Sequence, residues 1–195
     1  RAGSPGWDCG STRTRRSCAA PLSDRARRPA PRALELSDQQ VDFGLGHDDA
    51  TLAHVEEAKG HGVKLAEFPT SFEAAEASHK SGMSVLMGAP NVVRGKSHSG
   101  SIAARDLAKR GVLDVLASDY VPLSLLHASF VLADEIDGIS LPQAVAMVTA
   151  TPARTVSLSD RGRIETGLRA DLVRVRRDEG VPVIRAVWRE GRRVA

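Results

Sequence analysis

The sequence predicts an α/β fold, a parallel sheet with helices on both faces, and three observations carry that prediction. From Val41 to about residue 120, short near-continuous apolar runs alternate with segments of helix length, as strands buried on both faces do. Polar residues gather just after each apolar run, at the end where parallel α/β sheets bind ligands. Beyond Pro152 the texture changes to short alternating segments separated by Gly162, Gly167 and a Glu190-Gly191 turn, which read as a small β layer or hairpin set.

Each element has its local signal. "VDFGLG" (41 to 46) reads as a strand, and Ala50 to Lys59 as a helix with Leu52, Val55 and Ala58 near one face and Gly60 placed to end it. "VKLAEFP" (63 to 69) is a second strand stopped by Pro69, and residues 71 to 81 form a helix ending at Gly82. "MSVLMGAP" (83 to 90) is a third strand, followed by a polar, glycine-containing loop, "NVVRGKSHSG" (91 to 100), and a helix over 101 to 110. "VLDVLASDY" (112 to 120) is the fourth strand. Helices are expected near 122 to 135 and over "SLPQAVAMVT" (140 to 149), with Pro142 in the first turn of the latter.

At 195 residues the chain can bury one sizeable core. It has no apolar run of membrane-spanning length and no apolar segment behind its N-terminal charges, so neither a membrane partner nor a secretory signal is expected and a cytoplasmic location is the default. The net charge of +3 invites a nucleic-acid reading, but residues 1 to 36 hold eight Arg against three acids, leaving 19 basic and 21 acidic residues in the body. The basicity therefore belongs to the leader. That leader is rich in Pro, Ser and Gly without apolar periodicity and is expected to be disordered. The competing reading, a nucleic-acid-binding arm, lacks interleaved aromatics to stack on bases, so nucleic acid is not an expected partner. Cys9 and Cys18 fit neither a zinc ribbon nor a disulfide framework. The division is a leader over 1–40, an α/β layer over 41–152 and a β segment over 153–195.

The strand ends deliver His47 with Asp48 and Asp49, Glu67, the loop from Asn91 to Ser99, and Ser118 with Asp119. His47 is either a metal ligand or a structural histidine. Asp49 is placed to cap the following helix, and Asp48 stays uncommitted. Glu67, in an apolar strand, either pairs with a cation or metal at the rim or faces solvent. Arg94, Lys96 and His98 share a loop with two glycines, a composition suited to anionic oxygens. His54, His61, His79 and His127 read as surface or packing groups.

Together "GHDDAT", "AEFPT", "LMGAPNVVRGKSHSG" and "LASDYVPLSLL" resemble the PhnM family, the metal-dependent diphosphatases of the carbon–phosphorus lyase pathway, within the amidohydrolase superfamily. "GRIETGLRADLV" and "VWREGRRV" resemble that superfamily's C-terminal return to its small β domain. The resemblance covers residues 46 to 195. It implies the second half of a TIM-type metal-dependent hydrolase barrel, with four candidate strands where a whole barrel has about eight. The superfamily's His-x-His pair has no counterpart here.

The implied reaction is hydrolysis of α-D-ribose 1-methylphosphonate 5-triphosphate to the 5-phosphate and diphosphate. The implied cofactor is a divalent metal, Zn2+ being the expected ion. His47 is implied as a metal ligand, with Glu67 a further candidate, and Asp119 as the residue that binds metal or its water and takes the water's proton. Asn91, Arg94, Lys96 and His98 are the expected phosphate-binding residues. The expected partners are the phosphorylated ribose phosphonate, a second copy of the chain or other proteins of the pathway. Two alternatives stand beside this: another amidohydrolase acting on C–N bonds of a cyclic amide or base, and an inactive half-barrel that only binds. A half-barrel is also expected to expose the edge of its first strand.

Overall fold

The computed structural model describes residues 44–96 and 102–195. The leader, both cysteines and His98 lie outside these residues. The first part alternates β1 (Leu45–His47), α1 (Leu52–Gly60), β2 (Leu65–Glu67), α2 (Phe72–Lys80) and β3 (Ser84–Gly88). Two short helices, α3 (Ala89–Arg94) and α4 (Ala104–Lys109), precede β4 (Val115–Ala117). The helices α5 (Ser124–Glu135), α6 (Leu141–Ala146) and α7 (Ala150–Thr155) follow. The chain closes with β5 (Leu172–Asp178), β6 (Val181–Arg189) and β7 (Arg192–Arg193).

The first four strands form one parallel sheet in the order β1-β2-β3-β4, and the last three an antiparallel sheet in the order β5-β6-β7. The α/β expectation holds. Parallel neighbours need a crossover between them, which α1 and α2 supply for the first three strands. Both hairpins turn through Glu-Gly pairs with positive φ at each residue, Glu179-Gly180 and Glu190-Gly191, the twist-matched geometry of two-residue loops.

Register places His47, Glu67, Leu86 and Val115 side by side on one face of the parallel sheet. On that face Leu65, Leu86 and Val115 form a buried cluster with Phe68 against it. The opposite face sends Val85, Met87 and Leu116 into the main core with Leu107, Val92 and Leu132. Fully burying such a side chain is worth about 1.5–3 kcal/mol, so this side anchors the rim. A third cluster, Val55, Ala58, Ala74 and Met83, packs α1 against α2.

Four expectations are corrected. The strands are shorter than the apolar runs, because the chain turns at once past their ends: Asp48 has φ 57° and Phe68 φ 53°. The cap of α1 is Thr51, whose side chain accepts the His54 amide, and not Asp49. The Asp49 carbonyl instead accepts the Thr70 amide at 2.9 Å, and Asp49 lies in the turn two residues ahead of the cap position. The stretch from Asn91 does not begin as a loop: Pro90 in the first turn and left-handed Gly95 (φ 75°) at the end bound α3. Helical structure also runs past Pro152, which lies inside α7, near its N-terminus where a missing amide costs little.

No helix among the described residues is long and apolar enough to cross a membrane.

Candidate active site

The C-terminal ends of the four parallel strands bring His47, Glu67, Gly88 and Asp119 to one rim. His47 ends β1 with both ring nitrogens directed at carboxylates: Nδ1 lies 2.9 Å from Asp48 Oδ2 and Nε2 3.8 Å from Glu67 Oε2. Register pairs His47 with Glu67 across the two strands. Phe68 meets the His47 ring edge-on, the ring centroids 5.7 Å apart. Glu67 is the more enclosed of the pair, its side chain 23 % exposed against 54 % for His47. It therefore belongs to the rim and does not simply face solvent.

Asp119 stands two residues beyond β4 with φ 48°, in the left-handed region that non-glycine residues enter at a cost and that recurs at functional sites. The turn that holds it is built by serines. The Ser118 carbonyl accepts the Val121 amide at 3.0 Å. The buried Ser124 hydroxyl donates to the Val121 carbonyl at 2.6 Å and lies 3.4 Å from that of Ser118. Across the sheet, Gly88 leaves room for the carboxylate: a Cβ at Gly88 would stand 3.2 Å from Asp119 Oδ2 and 3.7 Å from the Phe68 ring. A glycine at the end of β3 leaves the space that both Asp119 and Phe68 approach.

The basic segment divides. Asn91 lies in α3, and its Oδ1 accepts the Ala104 amide at 2.9 Å, standing in for the side-chain cap that α4 lacks. Arg94, exposed at the end of α3, has its guanidinium carbon over the Tyr120 ring, 5.5 Å from the centroid, and Tyr120 follows Asp119 directly in the chain. Lys96 is exposed just beyond Gly95. His98 lies outside the described residues. Sequence reasoning missed Phe68, Gly88, Tyr120, Ser124 and Arg105. The adjacency of Tyr120 to Asp119 was the one available signal, while Gly88 and Arg105 act through contacts distant in sequence.

Away from the rim, His79 Nδ1 lies 3.0 Å from Asp114 Oδ2, which also accepts the Val85 amide at 2.8 Å. His79 thereby ties α2 to the start of β3 and β4. In the antiparallel sheet Asp171 accepts the Glu190 amide at 2.8 Å. This bond, with the nearby Arg169 guanidinium, holds its carboxyl below the usual value.

The resemblance implies a divalent metal, and the donor chemistry of the rim suits one: an imidazole and carboxylates. The number does not. Such an ion takes three or four protein ligands or more, and among the described residues no group of three His, Cys, Asp or Glu side chains is arranged to hold one. Both His47 nitrogens already face carboxylates. The described residues offer parts of a metal site and not a complete one.

Residues 47–195 match the amidohydrolase family model. Over 149 residues the chain is 58 % identical to the alpha-D-ribose 1-methylphosphonate 5-triphosphate diphosphatase of Escherichia coli K12, a match covering 76 % of this chain and 39 % of that protein. The chain thus spans well under half the length of that relative. Among solved structures it superposes on an amidohydrolase from Thermotoga maritima MSB8 with TM-score 0.62, at 19 % identity, over 78 % of this chain and 43 % of that one. The A. niger ochratoxinase superposes with TM-score 0.55, at 18 % identity, over 76 % and 41 %. At such identities these two speak for the fold alone, a half-barrel with its helices. With the family model matched over most of its length, the chain belongs to the amidohydrolase family.

Proposed function

We propose that this chain carries the C-terminal strands of a hydrolase of phosphonate catabolism. Its reaction is cleavage of α-D-ribose 1-methylphosphonate 5-triphosphate to the 5-phosphate and diphosphate. The observation that carries the reading is the 58 % identity over 149 residues to a diphosphatase of that name. In this reaction water adds to the phosphorus nearest the sugar, the bond from that phosphorus to the oxygen bridging it to the second breaks, and diphosphate leaves with that oxygen and the bonding electrons.

Asp119 is the carboxylate we assign to accept the proton of the attacking water, its position set by the serine-built turn and by Gly88. His47 and Asp119 are the metal donors we assign, with Glu67 a further one through its contact with His47. The family implies a divalent metal, and zinc is the ion this nitrogen and oxygen set suits. Arg94, Lys96 and His98 are assigned to the anionic oxygens of the triphosphate. Asn91 is assigned to the same loop through its hold on α4. A cytoplasmic location, self-association or docking with other proteins of the pathway, and a functional division at residues 1–40, 41–152 and 153–195 complete the proposal.

The donor set, incomplete among the described residues, favours a second reading, a half-barrel that binds without turning over. Metal content measured on the purified full chain, followed by diphosphate release from the ribose 5-triphosphate, separates the two. Bound metal with release supports the hydrolase. Absence of both leaves the binding reading.

A further inference from the structure

Two arginines lie near the end of α3 with different tasks. The Arg105 side chain is only 20 % exposed and pairs with Glu135. Its Nε donates to the Val92 carbonyl at 2.6 Å and its second terminal nitrogen lies 3.5 Å from that of Val93. It lies against Gly95, where a Cβ would stand 3.4 Å from its guanidinium carbon. Arg105 thereby satisfies carbonyls that the last turn of a helix leaves without partners. Arg94, the exposed residue of the pair, turns to Tyr120, its guanidinium carbon 5.5 Å from the ring centroid.

Tyr120 is 57 % exposed, so neither core packing nor burial explains a large aromatic there. Its backbone lies in the same serine-built turn that holds Asp119. A guanidinium stacked on an aromatic ring uses its face. Its N–H donors lie in its plane and stay available to two oxygens of one phosphoryl group. Stacking also restricts a long side chain before the ligand arrives, which removes part of the ordering cost of binding.

We propose that Tyr120 is a positioning residue: its ring holds the Arg94 guanidinium beside Asp119 with the in-plane donors presented to the oxygens of a diphosphate group. This rests on the assignment of Arg94 to the substrate's anion and adds what orients it. The aromatic face performs this task, not the phenol hydroxyl.

Inorganic diphosphate titrated calorimetrically into the full chain tests it, with thermal unfolding midpoints recorded for each variant. Tyr120→Phe is expected to bind as the parent does. Tyr120→Leu is expected to bind about two- to fivefold more weakly at an unchanged midpoint, the scale of an exposed cation–π contact. In an Arg94→Gln background the same Tyr120→Leu change is expected to have no further effect, because the ring acts through the arginine. Should Tyr120→Leu fail to fold, Arg94→Lys keeps the charge and loses the plane, and the same two- to fivefold weakening is expected.

Several results overturn the proposal: no diphosphate binding by the parent, parental binding by Tyr120→Leu or Arg94→Lys, equal weakening by Tyr120→Phe, or a Tyr120→Leu effect that persists without Arg94. Diphosphate binding with the expected pattern but without turnover of the ribose 5-triphosphate sinks the hydrolase reading and leaves the stack standing.

Discussion

At the scale of single residues, the rim depends on what small side chains leave open. Gly88 has an ordinary φ of −70°, so alanine meets no backbone strain there, but its Cβ would come 3.2 Å from Asp119 Oδ2. The carboxylate has to retreat by a few tenths of an ångström. Gly88→Ala is expected to cut turnover on the order of tenfold, since misplacement by 1 Å costs about a hundredfold, with the unfolding free energy nearly unchanged. Paired steady-state kinetics and urea titration check both halves, and a fall in stability instead of rate would show that Gly88 serves packing. His47 and Asp119 were legible as rim residues because each is polar at or just past the end of an apolar run. Gly88 was not, because its role exists only once β3 and β4 lie side by side.

At the scale of elements, α1 and α2 begin where side chains satisfy free amides. Thr51 accepts the His54 amide and Ser71 the Ala74 amide. Thr51→Ala is expected to cost about 1 kcal/mol by urea titration. Asp49→Ala leaves that cap intact, and equal losses from the two changes would contradict the assignment. The sequence pointed to Asp49 as the cap of α1, and the contact between the Asp49 carbonyl and Thr70, which sets this turn, exists only in the folded chain. The same holds for α3. Six residues between two glycines carry too little periodicity to announce a helix, and only Pro90 hinted at its start.

The antiparallel sheet adds a pH dependence of its own. Asp171, held below its ordinary value of 3.8 chiefly by the Glu190 amide, stabilises the folded state above that value. The contribution is lost as pH falls through the lower folded value. Acid unfolding of Asp171→Asn is therefore expected to lack a component that the parent shows below about pH 4. Identical acid profiles would contradict this role for the turn.

At the scale of the molecule, the two edges of the parallel sheet are unequal. On β4 the Leu116 amide donates to the Met147 carbonyl at 3.0 Å, so the chain covers part of its own edge. On β1, β2 is the only strand partner among the described residues, and Leu45 is 47 % exposed. A bare parallel edge with an apolar residue templates association. The chain is expected to self-associate at micromolar concentration by light scattering. A monomer with one sharp, cooperative thermal transition would contradict it.

The order of strands and helices was legible because buried parallel strands write near-continuous apolar runs. The spacing of the candidate donors was not, since it depends on strands folded beside one another. His47 and Glu67, on neighbouring strands, could be named from sequence, but their 3.8 Å contact could not.

The central claim is that this rim belongs to a diphosphatase with Asp119 as its proton acceptor. Diphosphate release from α-D-ribose 1-methylphosphonate 5-triphosphate, measured for the full chain and for Asp119→Asn with zinc supplied, tests it most directly. The account predicts release by the parent and a loss of about a hundredfold or more in the variant. Equal release by the two proteins, or none by the parent, would contradict it.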